Sequence, residues 1–314
     1  MKVSSETIKK RISCRTYSDR PVEDKVLKAL TASINAVHIG PFRNSPVFKL
    51  ITPVSATNQE LKKPGTYGVI KNARMFLVGT IKNARMAMED YGYCKEILIL
   101  QATALGLGTC WLGGTFKASE FAQAVDLQED QILPTVSPIG YPAEERSLTE
   151  KIMRRVAGSD HRKPWSDIFF ANDFATPLTR GQAGKYSEAL ENLRLAPSAS
   201  NKQPWRLLLD TAKNTFHFYL SRATGYKFLG LVFLQDIDMG IAMSHFEITA
   251  RERGLAGIWQ VDTDAPKEKS LDYIVSWQSE IEELGQLTLS TLAPLIFPSF
   301  NSIKARLAST SGYS

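Results

Sequence analysis

The sequence predicts a mixed α+β protein built from two tandem, degenerate copies of one folding unit, and three internal matches predict it. In the first, Asp90-Tyr91-Gly92 stands sixteen residues before Gly106-Leu107, and Asp238-Met239-Gly240 stands sixteen before Gly254-Leu255. The offset is 148 at both ends, and continued without a gap it sets Trp111 opposite Trp259. In the second, Pro46-Val47-Phe48-Lys49-Leu50-Ile51 matches Pro204-Trp205-Arg206-Leu207-Leu208-Leu209 at an offset of 158, so insertions or deletions separate the anchors. A weaker third match sets Pro134-Thr135-Val136-Ser137-Pro138-Ile139 beside Tyr273-Ile274-Val275-Ser276-Trp277. The competing reading is chance similarity between two amphipathic helices.

Each copy reads in the order helix, loop, strand, strand, long helix, strand. In the first, helix-like periodicity over 26–35 precedes a strand over 46–52 and another over 74–81. A long buried helix follows, with apolar positions at Ile97, Leu98 and Leu105, and ends at Gly106, where glycine supplies the left-handed turn that stops a helix. A strand over 133–141 closes the copy. The second repeats the plan with a helix over 186–195, strands over 205–210 and 215–220, a helix through Ile241, Phe246 and Ala250 ending at Gly254, and a strand over 273–278. The junction falls at 164–171, and Asn172-Asp173-Phe174-Ala175-Thr176-Pro177-Leu178 opens the second copy. The division is therefore 1–165 and 166–314.

The 314 residues are 43% hydrophobic and 22% charged, which excludes disordered and fibrous classes. A net charge of +6 suits a small anionic ligand or a nucleic acid about equally. No basic helix or aromatic-basic interleaving supports nucleic-acid binding. Cys14, Cys94 and Cys110 have no C-x-x-C spacing, and His38, His161, His217 and His245 have no i, i+4 partner, so neither a disulfide framework nor a metal site is expected. The longest apolar stretch, 97–108, is broken by Gln101 and too short to span a bilayer, and the start has no apolar leader pattern, so a cytoplasmic protein without membrane association is expected.

Three motifs carry chemistry. Gly106-Leu107-Gly108-Thr109-Cys110-Trp111-Leu112-Gly113-Gly114 fails as a phosphate loop, because Trp111 stands where a dinucleotide fingerprint needs its third glycine and Gly114 where a P-loop needs lysine. Its alternatives are a helix cap and turn, or paired glycines that let backbone N–H groups lie against a flat ligand. Arg11-Ile12-Ser13-Cys14-Arg15 in extended backbone places two guanidinium groups and a hydroxyl on one face, which suits a phosphate; a solvated arm is the alternative. Ala196-Pro197-Ser198-Ala199-Ser200-Asn201-Lys202-Gln203-Pro204-Trp205 is either a connector or a rigid turn whose donors and acceptors suit a heteroaromatic rim.

These pieces, in this order, resemble the FMN-dependent nitroreductase family, and within it the TM nitroreductase subgroup. The resemblance rests on R-x-S-x-R followed by Tyr17, the P-S-x-S-N-x-Q-P-W loop, the D-x-G helix running into the glycine strip, Ile139-Gly140-Tyr141-Pro142, and Arg162-Lys163-Pro164. The stretch Gly65-Thr66-Tyr67-Gly68-Val69-Ile70-Lys71-Asn72-Ala73 also looks like the family's approach to its second strand. The resemblance implies a nitroreductase-like fold whose usual two-subunit site is gathered into one chain, an intramolecular pseudo-dimer that can stay monomeric. The first half keeps the arginine arm but has Ile39-Gly40-Pro41-Phe42-Arg43-Asn44-Ser45-Pro46 in place of the serine loop. The second keeps that loop but has Gly257-Ile258-Trp259-Gln260-Val261 in place of the paired glycines, so the surviving parts complete one site.

Carried across residue by residue, the resemblance implies Arg11, Ser13 and Arg162 at the FMN phosphate and Arg15 at the pyrimidine side of the ring or the ribityl chain. It puts Leu112, Gly113 and Gly114 beside the flavin, with a glycine N–H near N5, and Pro197, Ser198, Ala199 and Asn201 along the opposite edge. Asp160 stands where relatives often have a second cation, so the resemblance implies either weaker phosphate binding or a role for Arg154 or Arg155 in its place. NADH or NADPH would be the donor and a nitroaromatic, quinone or similar small molecule the acceptor, with no catalytic side chain required. Tyr67, Tyr91, Phe228 and Trp259 are candidates for a stacking face, with core packing as the alternative, and specificity would lie in 55–67 or 221–229. The alternative function is an FMN-binding protein without turnover, a sensor or flavin reservoir; dehalogenation, desaturation or flavin breakdown is a third.

Overall fold

Two antiparallel four-strand motifs, each carrying one long helix, make up the core. The computed structural model describes residues 3–52, 70–114, 116, 118–145, 147, 150, 152, 155, 158, 161–223 and 232–279. Residues 1–280 form one unit, and the segment Ile281–Ser314 lies outside the described residues. The first sheet contains β1 (Val47–Ile51), β2 (Met75–Lys82), β3 (Gly108–Thr109) and β5 (Val136–Gly140) in the order β1-β2-β5-β3, with β4 (Gln131–Ile132) paired to β2. The second contains β6 (Phe169–Ala171), β7 (Asp173–Pro177), β8 (Trp205–Asp210), β9 (Thr215–Leu220), β10 (Gly257–Gln260) and β11 (Asp272–Ser279) in the order β10-β11-β9-β8-β6-β7. Read from β8, the second sheet runs β8-β9-β11-β10, the same succession as the first. The weak third match falls on β5 and β11, which occupy corresponding places.

Side-chain alternation explains the strands. In β9, Phe216, Phe218 and Leu220 face the core that α7 (Leu234–Glu252) also faces through Phe246. His217 points to the other face, where its Nδ1 lies 2.7 Å from Ser276 Oγ on β11. β2 is buried along nearly its whole length. Met75, Leu77 and Ile81 join the main core, whereas Phe76 and Val78 join a second cluster with Phe121 and Val125 of α4 (Ala118–Val125).

α3 (Ala87–Ala104) and α7 are buried on most sides and cross each other. Both stop as glycine predicts. Gly106 and Gly254 have φ of 79° and 72°, and the following N–H reaches back over the last turn, Leu107 N to Ala102 O and Leu255 N to Ala250 O, each at 2.9 Å. Shorter helices surround the pair. α1 (Ser5–Lys10) is capped by Ser4, α2 (Asp24–Ala36) buries Val26, Leu30 and Ile34, and α5 (Arg180–Ala183) begins with a Thr179–Gln182 capping box. α6 (Ser187–Arg194) buries Ala189, Leu190, Asn192 and Leu193.

Several expectations need correction. Each long helix is followed by two strands, because the segment after the glycine returns along the sheet as β3 or β10 before the predicted strand. The strand expected over 133–141 begins at Val136, and the pairing before it belongs to the short β4. The junction is structured: β6 pairs in parallel with β8, and Asn172, with φ of 64°, turns the chain back into β7. Asn172-Asp173-Phe174-Ala175-Thr176-Pro177 is therefore a hairpin turn and edge strand. The short helices α1 and α4 were not predicted; α4 has only eight residues, too few for its period to stand out.

Candidate functional site

The arginine arm runs out of α1 in extended backbone and is fixed to the glycine strip. Ser13 bridges Thr109 in parallel, Cys14 N donates to Thr109 O at 2.8 Å, and Lys71 N donates to Arg15 O at 2.8 Å. Gly108 makes the approach feasible, because a Cβ there would lie 2.8 Å from Cys14 Cβ and Sγ. Arg11, Ser13 and Arg15 all act on the Cys110 thiol. Burial raises that thiol's pKa, the charges of Arg15 and Arg11 oppose the rise, and Ser13 hydrogen-bonds it. Cys110 is buried and packs as a small apolar side chain.

Within this arm two buried guanidinium nitrogens, Arg11 Nε and Arg15 Nη1, make no hydrogen bond among the described residues. Arg11 itself is buried, with Nε 3.7 Å from Glu96 Oε1, an ion-pair distance too long for a hydrogen bond. The expectation of a guanidinium on an open face thus needs correction for Arg11, whereas Arg15 is half-buried. Glu150, also buried, accepts from Thr16 Oγ1 at 2.8 Å and lies 3.4 Å from Arg15 N.

Leu112 is buried and exchanges backbone hydrogen bonds with Val136 at 3.0 and 3.1 Å, which anchors the end of the strip. Gly113 and Gly114 follow, half-buried and exposed. A Cβ on Gly113 would lie 2.6 Å from a methyl carbon of Leu234, so glycine lets the strip rest against the first turn of α7. One turn further along α7, Asp238 accepts from Ala199 N through both carboxylate oxygens at 3.0 and 3.1 Å. The first turns of α7 therefore hold the glycine strip and the serine loop together.

The serine loop is rigid. Ser200, Asn201 and Gln203 have φ of 46°, 54° and 48°, Ser198 Oγ accepts from Gln203 N at 2.9 Å, and Pro197 is half-buried. Asn201 Nδ2 donates to Gly158 O at 2.7 Å and His161 O at 2.9 Å. Arg162 Nη1 lies 3.4 Å from Asn201 Oδ1, and Nη2 donates to Leu195 O at 3.2 Å. The structure thus joins Arg162 to the serine loop. It also corrects the picture of a loop with free donors: the Ala199 N–H and the Asn201 amide are bonded within the chain.

Sequence reasoning missed the polar residues on the long helices. Lys95 and Glu96 are fully buried, as is His245. Lys95 Nζ donates to Thr135 Oγ1 at 2.7 Å and Thr135 O at 3.0 Å and lies 4.8 Å above the Trp111 ring; burial holds its pKa well below the usual lysine range. Charged residues interrupting an otherwise apolar helix were the available signal. Tyr91 and Trp259 belong to the core: Tyr91 is fully buried and donates to Thr135 O at 2.8 Å, and Trp259 packs edge-on to Phe218 and Trp277. Tyr67, Phe228, Arg154, Asp160, residues 55–67 and most of 221–229 lie outside the described residues, as does most of the stretch beginning at Gly65. Among the described residues no helix is long and apolar enough to cross a membrane.

The architecture is that of a nitroreductase. A crystal structure of a nitroreductase described as putative from Thermotoga maritima matches with a TM-score of 0.53 and 18% identity, covering 89% of this chain and 93% of that one. The chain belongs to the family described as "Putative TM nitroreductase", whose model matches residues 4–250. A protein of Archaeoglobus fulgidus named "Putative NADH dehydrogenase/NAD(P)H nitroreductase" is 26% identical over 167 residues, which is 49% of this chain and 94% of that protein. A nitroreductase crystallised with bound FMN, from Desulfitobacterium hafniense, matches at 18% identity over 46% of this chain and 92% of that one, with a TM-score of 0.38.

Proposed function

We propose that the chain binds one FMN and passes electrons from NADH or NADPH to an electron-poor acceptor such as a nitroaromatic or a quinone. The observation that carries this reading is the pair of buried guanidinium nitrogens in the arm that make no hydrogen bond among the described residues. Such groups are costly to bury unless acceptor oxygens reach them, and FMN brings both phosphate oxygens and ring carbonyls. The residues present therefore fit the cofactor.

Arg11, Ser13 and Arg162 would hold the phosphate, and Arg15 the pyrimidine side or the ribityl chain. Leu112, Gly113 and Gly114 would lie along the ring, and the rigid turn of Pro197, Ser198, Ala199 and Asn201 would set its far edge by shape. When bound, FMN supplies two-electron chemistry, taking a hydride equivalent from the nicotinamide and giving electrons to the acceptor. The chain's part would be to orient: the Gly113 or Gly114 N–H would offer a fixed dipole to the reacting edge, and Arg15 would offset negative charge on the pyrimidine side. The family and the nicotinamide named for the Archaeoglobus relative support this reading.

The same proposal takes residues 1–165 and 166–314 as two copies of one unit, forming a pseudo-dimer within a monomeric chain. Equal strand succession, glycine stops 148 residues apart, and a relative of about half the length support it. Three buried, unpaired cysteines suit a cytoplasmic setting. Anaerobic addition of NADH or NADPH to the purified yellow holoprotein tests the function. Bleaching of the flavin band is expected; a band that persists with both donors would mean a flavin-binding protein without turnover.

A further inference from the structure

Glu96 gathers donors from three separate segments. Its Oε1 lies 2.9 Å from His245 Nε2 on α7 and 3.7 Å from Arg11 Nε at the end of α1, and its Oε2 accepts from Trp111 Nε1 of the glycine strip at 2.7 Å. The other imidazole nitrogen, His245 Nδ1, lies 3.0 Å from Asn192 O on α6. Both Glu96 and His245 are fully buried, and Arg11 is nearly so.

The hydrogen-bond roles fix a proton. A backbone carbonyl only accepts, so Nδ1 carries a hydrogen. Nε2 then faces a carboxylate oxygen at 2.9 Å, which is repulsive if Nε2 is a bare lone pair and Glu96 is ionised. One proton must lie between them, on the imidazole or on the carboxyl. Either way the Glu96–His245 pair is neutral overall, and the charge of Arg11 is left uncompensated.

Resting on the FMN reading above, we propose that Glu96 and His245 are positioning residues that act through Arg11: Glu96 fixes the guanidinium, and the shared proton keeps its charge available to the cofactor phosphate. Without His245 as proton partner, Glu96 would be a buried carboxylate at ion-pair distance from Arg11, and it would neutralise the arm. The charged neighbours include Lys95 beside Glu96 on α3, Glu188 on α6, reached through Ser5 and Asn192, and Glu247 on α7, which accepts from Tyr93.

The test is the ratio of affinities for FMN and for riboflavin, which lacks the phosphate, measured by flavin fluorescence quenching on apoprotein. Wild type is expected to prefer FMN. His245→Gln should reduce that preference about tenfold, the scale of one charge-assisted hydrogen bond, while leaving riboflavin affinity unchanged. Glu96→Gln combined with His245→Gln should restore the preference, because the amide oxygen keeps the contact that positions the guanidinium while the neutralising charge is gone. Unchanged riboflavin affinity also shows that the variants are folded. A His245→Gln protein with the wild-type ratio, or a double variant that stays as low as the single one, overturns the proposal. Wild-type protein that binds neither flavin overturns instead the FMN reading on which it rests.

Discussion

Gly92 of α3 and Gly240 of α7 meet each other's helix reciprocally. A Cβ on Gly92 would run into the carbonyl oxygen of Ile237, and a Cβ on Gly240 into that of Glu89. Ile237 follows Glu89 by the same 148 residues that separate the two glycines. Each helix thus offers the other the same spot, the self-complementary pattern of a twofold contact.

The crossing predicts the first outcome. The obstructing atoms are backbone, so no rotamer change relieves them. Gly92→Ala and Gly240→Ala should each destabilise by about 1–3 kcal/mol or more, the range for overpacking a close-packed site. Urea unfolding would show both midpoints lowered. Gly106→Ala is the contrast: its φ of 79° strains any L residue, but no atom lies within 4 Å of the new Cβ, so its cost should be smaller.

Arg15→Ala tests the arm directly. Arg15 Nη1 has no hydrogen bond among the described residues, so the truncation removes none of the bonds seen there for that nitrogen. FMN affinity or the rate of flavin reduction should fall while the unfolding midpoint shifts little. Equal flavin content and equal reduction kinetics would remove its assigned role.

Much of this arrangement was legible in the sequence because glycine and proline mark chain geometry that few other residues adopt. Gly106 and Gly254 gave the ends of α3 and α7, and the strands after Pro46 and Pro204 lie where the alternation puts them. β3 has only two residues, too short for any period, and the Phe169–Ala171 strand is defined by its parallel pairing with Leu207–Leu209, which no local pattern encodes. The site divides in the same way. R-x-S-x-R and P-S-x-S-N were readable as motifs, but the carboxylates that reach them, Glu96 beside Arg11 and Asp238 at Ala199 N, lie far away in sequence on the long helices. Burying a charged side chain needs tertiary partners that a one-dimensional reading does not supply.

Asp238 and Asp90 make matched cap-like contacts with unequal consequences. Asp238 accepts from Ala199 N in the serine loop, whereas Asp90, 148 residues earlier, accepts from Phe42 N at 2.9 Å and Asn44 N at 2.8 Å in the loop before β1. Alanine at either position leaves part-buried backbone N–H groups without their acceptor, which costs about 1 kcal/mol, below the range for a fully buried donor. Asp238→Ala should also weaken FMN binding. Asp90→Ala should lower stability with FMN affinity intact, and titration of both variants with FMN checks the difference.

Glu89 makes stability depend on pH. Burial, reinforced by the nearby charge of Asp236, raises its pKa from 4.5 to about 8. The folded state therefore binds more protons than the unfolded state between those values, and this contribution is full below about 4.5 and lost as pH rises through about 8. The urea midpoint of wild type should fall from pH 5.5 to pH 8.5 relative to that of Glu89→Gln, which keeps a neutral side chain at both. Parallel pH dependence in the two proteins would exclude Glu89 as the source.

Flavin stoichiometry is the sharpest check on the two-copy reading. A true pair of equal sites would need a second arginine arm, a second glycine pair and a second serine loop. Where the arm would recur, the chain has the hairpin of Phe169–Ala171 and Asp173–Pro177; where paired glycines would recur, β10 carries Ile258 and Trp259. The loop of Phe42 and Asn44 is tied to Asp90 and lacks the P-S-x-S-N sequence. One phosphate arm can anchor one phosphate. Absorbance of released flavin against protein mass should therefore give one FMN per chain at saturation. Arg15→Ala should lower that single occupancy at limiting flavin, with no second, weaker class of sites appearing. Two flavins per chain would mean that the second half binds on its own, and the division of labour between the halves would be wrong.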